Sequence, residues 1–147
     1  MTHEGRSPHK TVYLKLDGFD EADIDENIAD FIMAMWKAEI RTHSSCESGS
    51  PQSNILIDMG MPYGEEFLEI CCQDKALLSK IWHGNEELVD HRQEAPDGYW
   101  RLYTHFGGLG ETPEEDGPPP RLRCWLAVSF PFTDKATVIG LLEKETK

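Results

Sequence analysis

Residues 24–36, IDENIADFIMAMW, carry the pattern that decides the fold class. Ile24, Ile28, Phe31, Ile32, Met35 and Trp36 fall at offsets 0, 4, 7, 8, 11 and 12, the apolar stripe of an amphipathic helix. Asp20, Glu21, Asp23, Asp25 and Glu26 crowd its N-terminal end, where carboxylates cap free amides and complement the helix macrodipole. The run from Asp17 to Glu26 lacks the ligand spacing and central glycine of an EF-hand. Helix capping is therefore the account adopted for these acids.

Working outward, Thr11 to Leu16 mixes β-branched and aromatic residues with alternation and reads as a strand ended by Asp17 and Gly18. Ile40 to His43 reads as a short strand after the helix, and Ser44 to Ser53 as a loop by composition. Asn54 to Met59 is the next strand, followed by turn signals at Gly60, Pro62 and Gly64. The continuous apolar run Phe67 to Cys72 fits either a buried strand or a helix; strand is preferred, with Asp74 capping a helix through Leu77, Leu78, Ile81 and Trp82.

The triplet Pro96, Asp97 and Gly98 marks a turn before a strand bearing Tyr99, Trp100, Leu102, Tyr103 and Phe106. Residues 107–120 hold four glycines, four prolines and four acids, which predicts a mobile loop. Arg121 to Phe130 is a long strand ended by Pro131, and Asp134 starts a terminal helix using Val138, Leu141 and Leu142. Helices spaced among strands, several of them joined by hairpin-length links, predict an α+β fold. The expected form is a two-layer sandwich with a mainly antiparallel or mixed sheet, ferredoxin-like as first architecture.

A chain of 147 residues has the usual size of one domain, here residues 1–147 with 1–9 expected to fray. A hydrophobic fraction of 39% with 14 aromatic residues supplies a core without metal or disulfide staples, so no cofactor is expected. No stretch approaches the roughly 18 apolar residues of a membrane span, and no leader pattern follows Met1. Of the four cysteines, Cys46, Cys71, Cys72 and Cys124, two are adjacent. That is not the spaced framework of a small secreted fold, and reduced thiols in the cytoplasm are expected. Fourteen basic against 27 acidic residues give a net charge of −13. Such a mean field repels nucleic acid and leaves solubility, or docking on a basic protein, as the two uses of the acids.

The most site-like segment is Thr42, His43, Ser44, Ser45, Cys46 and Glu47, which packs a base, hydroxyls, a thiol and a carboxylate at the exit of a strand. It can supply a Cys46 nucleophile with His43 or a distant histidine as base, a ligand pocket, or an ordinary turn held by side-chain to backbone bonds. Cys46 is expected to be accessible, with Cys71, Cys72 and Cys124 in apolar runs.

Met35, Trp36, Ile40, Arg41, Thr42, Ser45, Cys46 and Glu47 resemble a segment shared by small uncharacterised bacterial proteins. A shorter run, Thr, Ser, Ser, Cys, Ser, Gly, is similar to the tRNA wybutosine-synthesis methyltransferase family, where this chain has Glu47 and Ser48 in place of the last Ser and Gly. The chain lacks that family's basic surface, so the resemblance implies attention to residues 42–47 and no activity.

His83, His91 and His105 have no metal-ligand spacing, and no glycine-rich cradle precedes a helix. Tyr99, Trp100, Tyr103, Trp125 and Phe130 read as sheet core. The leading expectation is a binding or accessory module that docks a basic protein through an acidic face, with a pocket near Cys46. The alternatives are a cysteine-dependent enzyme and an immunity or antitoxin-type inhibitor.

Overall fold

A computed structural model describes residues 10–48, 54–86, 98–109 and 122–146. Thr11–Leu16 (β1) and Asp20–Asp25 (β2) form an antiparallel hairpin. Gly18 turns it at φ +77°, a conformation that glycine enters without strain. The acids of residues 20–25 therefore lie in a strand and do not cap a helix, contrary to the expectation from their crowding. Tertiary pairing overrides their poor strand propensity. Ala22 and Ile24 turn inward opposite Leu14 and Val12, while Glu21 and Asp23 stay exposed opposite Lys15 and Tyr13.

After a 3-10 turn at Glu26–Ile28, Ala29–Lys37 forms α1. Its buried stripe, Phe31, Ile32, Met35 and Trp36, follows the predicted periodicity from Ile28 onward. Ile40 to His43 is not a strand. Arg41 Nη1 donates to the Phe19 carbonyl at 2.9 Å, and Trp36 Nε1 donates to Thr42 Oγ1 at 3.2 Å, tying this segment to the hairpin and to α1. The strand is instead Ser44–Ser48 (β3), inside the stretch read as a loop, and it pairs antiparallel with Asn54–Gly60 (β4).

Tyr63–Cys71 is a helix (α2), so the strand preferred for Phe67 to Cys72 is corrected. Gly64, Phe67, Ile70 and Cys71 are its buried residues, while Glu65, Glu66 and Glu69 are exposed. A Cβ at Gly64 would lie 2.7 Å from the Leu126 Cβ, so glycine sets how closely α2 meets the sheet. Lys75–Glu86 (α3) begins where expected, with Leu77 N–H donating to Asp74 Oδ1 at 3.0 Å.

Arg101–Leu109 (β5), Leu122–Pro131 (β6) and Lys135–Lys144 (α4) complete the order. Of the loop predicted at 107–120, residues 107–109 belong to β5, with an irregularity between Phe106 and Gly108, and the rest lies outside the described residues. The main sheet runs β3-β4-β6-β5, antiparallel throughout. β4 and β5 point the same way with β6 between them, joined by α2 and α3, which is a split βαβ unit of the ferredoxin-like kind. The place beside β4 is filled by β3, which enters ahead of it through a hairpin. α2 packs on β4 and β6, α3 on β5, and α1 against both the β1–β2 hairpin and α4.

Ile55, Ile57 and Met59 of β4 meet Phe130, Val128 and Leu126 of β6 on the covered face. Trp100 stacks on Phe130 at 4.5 Å, and Phe31 meets Phe130 edge-on at 5.5 Å. Buried Asp134 ties the layers together. Its Oδ1 accepts from Lys80 Nζ at 2.7 Å and its Oδ2 from Trp100 Nε1 at 2.9 Å.

Candidate functional site

The segment 42–47 is divided by the strand it helps to form. Cys46 lies opposite Leu56 on the sheet face turned away from the helices, whereas Ser45 and Glu47 lie opposite buried Ile57 and Ile55. Alternation therefore separates the thiol from both neighbours. Thr42 is engaged by Trp36, and Glu47 Oε1 accepts from Asn27 Nδ2 at 3.1 Å.

The His43 ring packs against Trp125 at a tilt, centroids 4.4 Å apart with the planes at 40°. Gly60 permits this contact, since a Cβ there would come within 3.3 Å of the Trp125 ring. Cys46 is the exposed cysteine, Cys71 is buried, and Cys72 and Cys124 are half-buried. Burial lifts the Cys71 thiol far above its ordinary range, with the neighbouring Cys72 adding to the shift, and burial also raises Cys72.

The same outward face holds a pair that the sequence did not single out. His105 Nε2 lies 3.2 Å from Asp58 Oδ1, bridging β5 and β4. The signal was parity: Asp58 alternates with Ile57 and Met59, and His105 stands two residues from Tyr103 on one strand. Parity also corrects the aromatic core. Trp100 and Phe130 are fully buried, but Tyr103 is exposed and Trp125 is on the outward face. Trp125 and Phe130 are five residues apart on one strand, so they cannot share a face.

A second arrangement lies at the other side of the molecule. A cavity of about 400 Å³ is lined by Ala38, Glu39, Ile40, Tyr63, Glu66, Glu69, Ile70 and Glu145. Ala38, Ile40 and Ile70 form a buried apolar floor, and the four glutamates are exposed around it. Glu39 follows α1 at φ +64°, in the left-handed position where a helix end usually carries glycine. Glu145 follows the last turn of α4.

Two helix C-termini thus meet the carboxylates, and both the backbone ends and the side chains make the cavity negative. Lys37 and Lys144 lie in the last turns of α1 and α4 but not in the lining. Among the described residues, no three His, Cys, Asp or Glu side chains converge as metal ligands do, and no helix is long and apolar enough to cross a membrane. Compared with known proteins, the chain matches no family model, no curated protein and no solved structure.

Proposed function

We propose that this chain is a binding module without catalysis that takes a lysine or arginine side chain of a basic protein partner into the glutamate-rimmed cavity. The observation that carries the proposal is the lining itself: Glu39, Glu66, Glu69 and Glu145 surround an apolar floor, with no basic residue among them. A long basic side chain has the matching form, an aliphatic stem for Ile40 and Ile70 and a charged head for the carboxylates. The net charge of −13 would speed the encounter with such a partner. The cysteine-enzyme alternative has less support, because His43 packs at a tilt against Trp125 and His105 is paired with Asp58.

The test uses a hexa-arginine peptide and nuclear magnetic resonance titration of the whole chain. Shifts are expected to centre on residues 38–40, 63–70 and 145. The double variant E66Q/E69Q should weaken binding about five- to thirty-fold, because each exposed pair contributes roughly 0.5–1 kcal/mol. Shifts spread evenly over the acids of β2 and the cavity, unchanged in that variant, would show charge attraction without a site.

A further inference from the structure

An edge strand offers alternate backbone N–H and C=O groups to any extended chain that approaches it. β3 is an edge of the described sheet. Its Glu47 N–H points away from β4 and donates to Asp25 Oδ2 at 2.9 Å. By the two-residue alternation of an antiparallel ladder, Ser45 shares that outward aspect, while Cys46 between them turns its backbone toward Leu56 of β4. The end of β2 lies alongside β3, and Asn27, just beyond it, holds the Glu47 side chain.

We propose that Asp25, supported by Asn27, is an edge cap that keeps β3 from pairing with β3 of a second copy of this chain. The carboxylate takes the donor that an added strand would use, and its charge repels incoming carbonyl oxygens. A second copy is the occupant favoured because the segment Ser44–Ser48 is self-complementary in the antiparallel sense. Centred on Cys46, Ser45 of each copy faces Glu47 of the other with their outward groups in hydrogen-bonding register, so no like charges are directly opposed. The two Cys46 residues then form the non-hydrogen-bonded pair, whose Cα separation of about 4.5 Å is within disulfide reach. Cys46 is exposed and so reports on the pairing.

The experiment compares the whole chain with Asp25→Ala and Asp25→Val by sedimentation velocity and by Cys46–Cys46 disulfide formation, with diamide as the oxidant of the two thiols. Both variants are expected to dimerise and to cross-link about a hundredfold more than the parent chain, because a symmetric dimer displaces two caps, each one hydrogen bond to a charged group. Asp25→Asn keeps an acceptor but loses the charge and should fall between the parent and Asp25→Ala. Adding Glu47→Pro to Asp25→Ala should restore the parent behaviour, because proline removes the outward donor and leaves the β3–β4 ladder intact.

Folded Asp25→Ala and Asp25→Val chains that cross-link no more than the parent would overturn the proposal, as would a parent chain that cross-links equally well. Hydrogen exchange on the parent gives a reading independent of whether the variants fold. The Glu47 amide is expected to be protected, and exchange at the rate of an open amide would overturn the cap.

Discussion

Replacing Asp134 by alanine tests whether one buried carboxylate holds the helical layer to the sheet. The side chain of Asp134 is 8% exposed and accepts from two partners of different standing. Trp100 is fully buried, so its indole N–H has no water to turn to once the carboxylate is gone. Removing the acceptor of this buried donor costs about 1–3 kcal/mol. The Lys80 side chain is 37% exposed and can swing into solvent, so its lost ion pair adds at most about 1 kcal/mol.

The expected destabilisation is therefore roughly 1–4 kcal/mol, with the tryptophan bond as the larger part. Asp134→Asn keeps an acceptor for the indole and should lose only about 1 kcal/mol. Denaturant unfolding measures both through the midpoint at unchanged slope. A double-mutant cycle with Trp100→Phe isolates the bond, since the alanine substitution should cost about 1–3 kcal/mol less when no indole donor is present. An Asp134→Ala chain within about 0.5 kcal/mol of the parent, or an equal cost in the Trp100→Phe background, would refute this division of roles.

Two further outcomes follow from close packing and burial. Gly64→Ala should destabilise by about 1–3 kcal/mol in the same unfolding assay, because the new methyl would stand 2.7 Å from the Leu126 Cβ and α2 would have to lift from β6. In native alkylation with mass mapping, Cys46 should label first and Cys71 last, the latter only at strongly alkaline pH or on unfolding. The raised Cys71 thiol also sets a sign for stability. The folded chain holds that proton above the ordinary thiol value of 9.0 while the unfolded chain releases it. Its contribution is full below that pH and falls above it by up to about 1.4 kcal/mol per pH unit, so Cys71→Ala should flatten the alkaline limb of a stability profile.

The elements that were legible in the sequence are those whose burial is one-sided and locally periodic. α1 shows its stripe from Ile28 to Trp36 because one face meets the core over its whole length. β6 and the start of α3 announce themselves by alternation and by the Asp74 cap. α2 was misread because Leu68 and Cys72 fill out an apolar run. The helical signal was the spacing Gly64, Phe67, Ile70 and Cys71 against Glu65, Glu66 and Glu69, which begins before the run.

β3 could not be read from Ser44, Ser45, Cys46, Glu47 and Ser48, since the segment carries no apolar row and borrows its strand character from β4. The exposure of Cys46 was legible from its polar neighbours, but the fate of the histidines was not. His43 finds Trp125 across β4, a contact between residues 82 positions apart that depends on Gly60 being small.

The charge of −13 poses the same difficulty on a larger scale. A sum over the chain cannot distinguish acids dispersed for solubility from acids gathered for binding. Glu21 and Asp23 alternate along one strand, where Lys15 stands opposite Glu21 and offsets part of the field. Glu39, Glu66, Glu69 and Glu145 are drawn from three distant segments and meet without a basic lining residue because the ends of α1 and α4 come together beside α2. The asymmetry that leaves the cavity lining acidic is therefore a property of helix packing, and under the proposed binding of a basic partner, charge changes on β2 should alter encounter rate while those at Glu66 and Glu69 alter the lifetime of the complex.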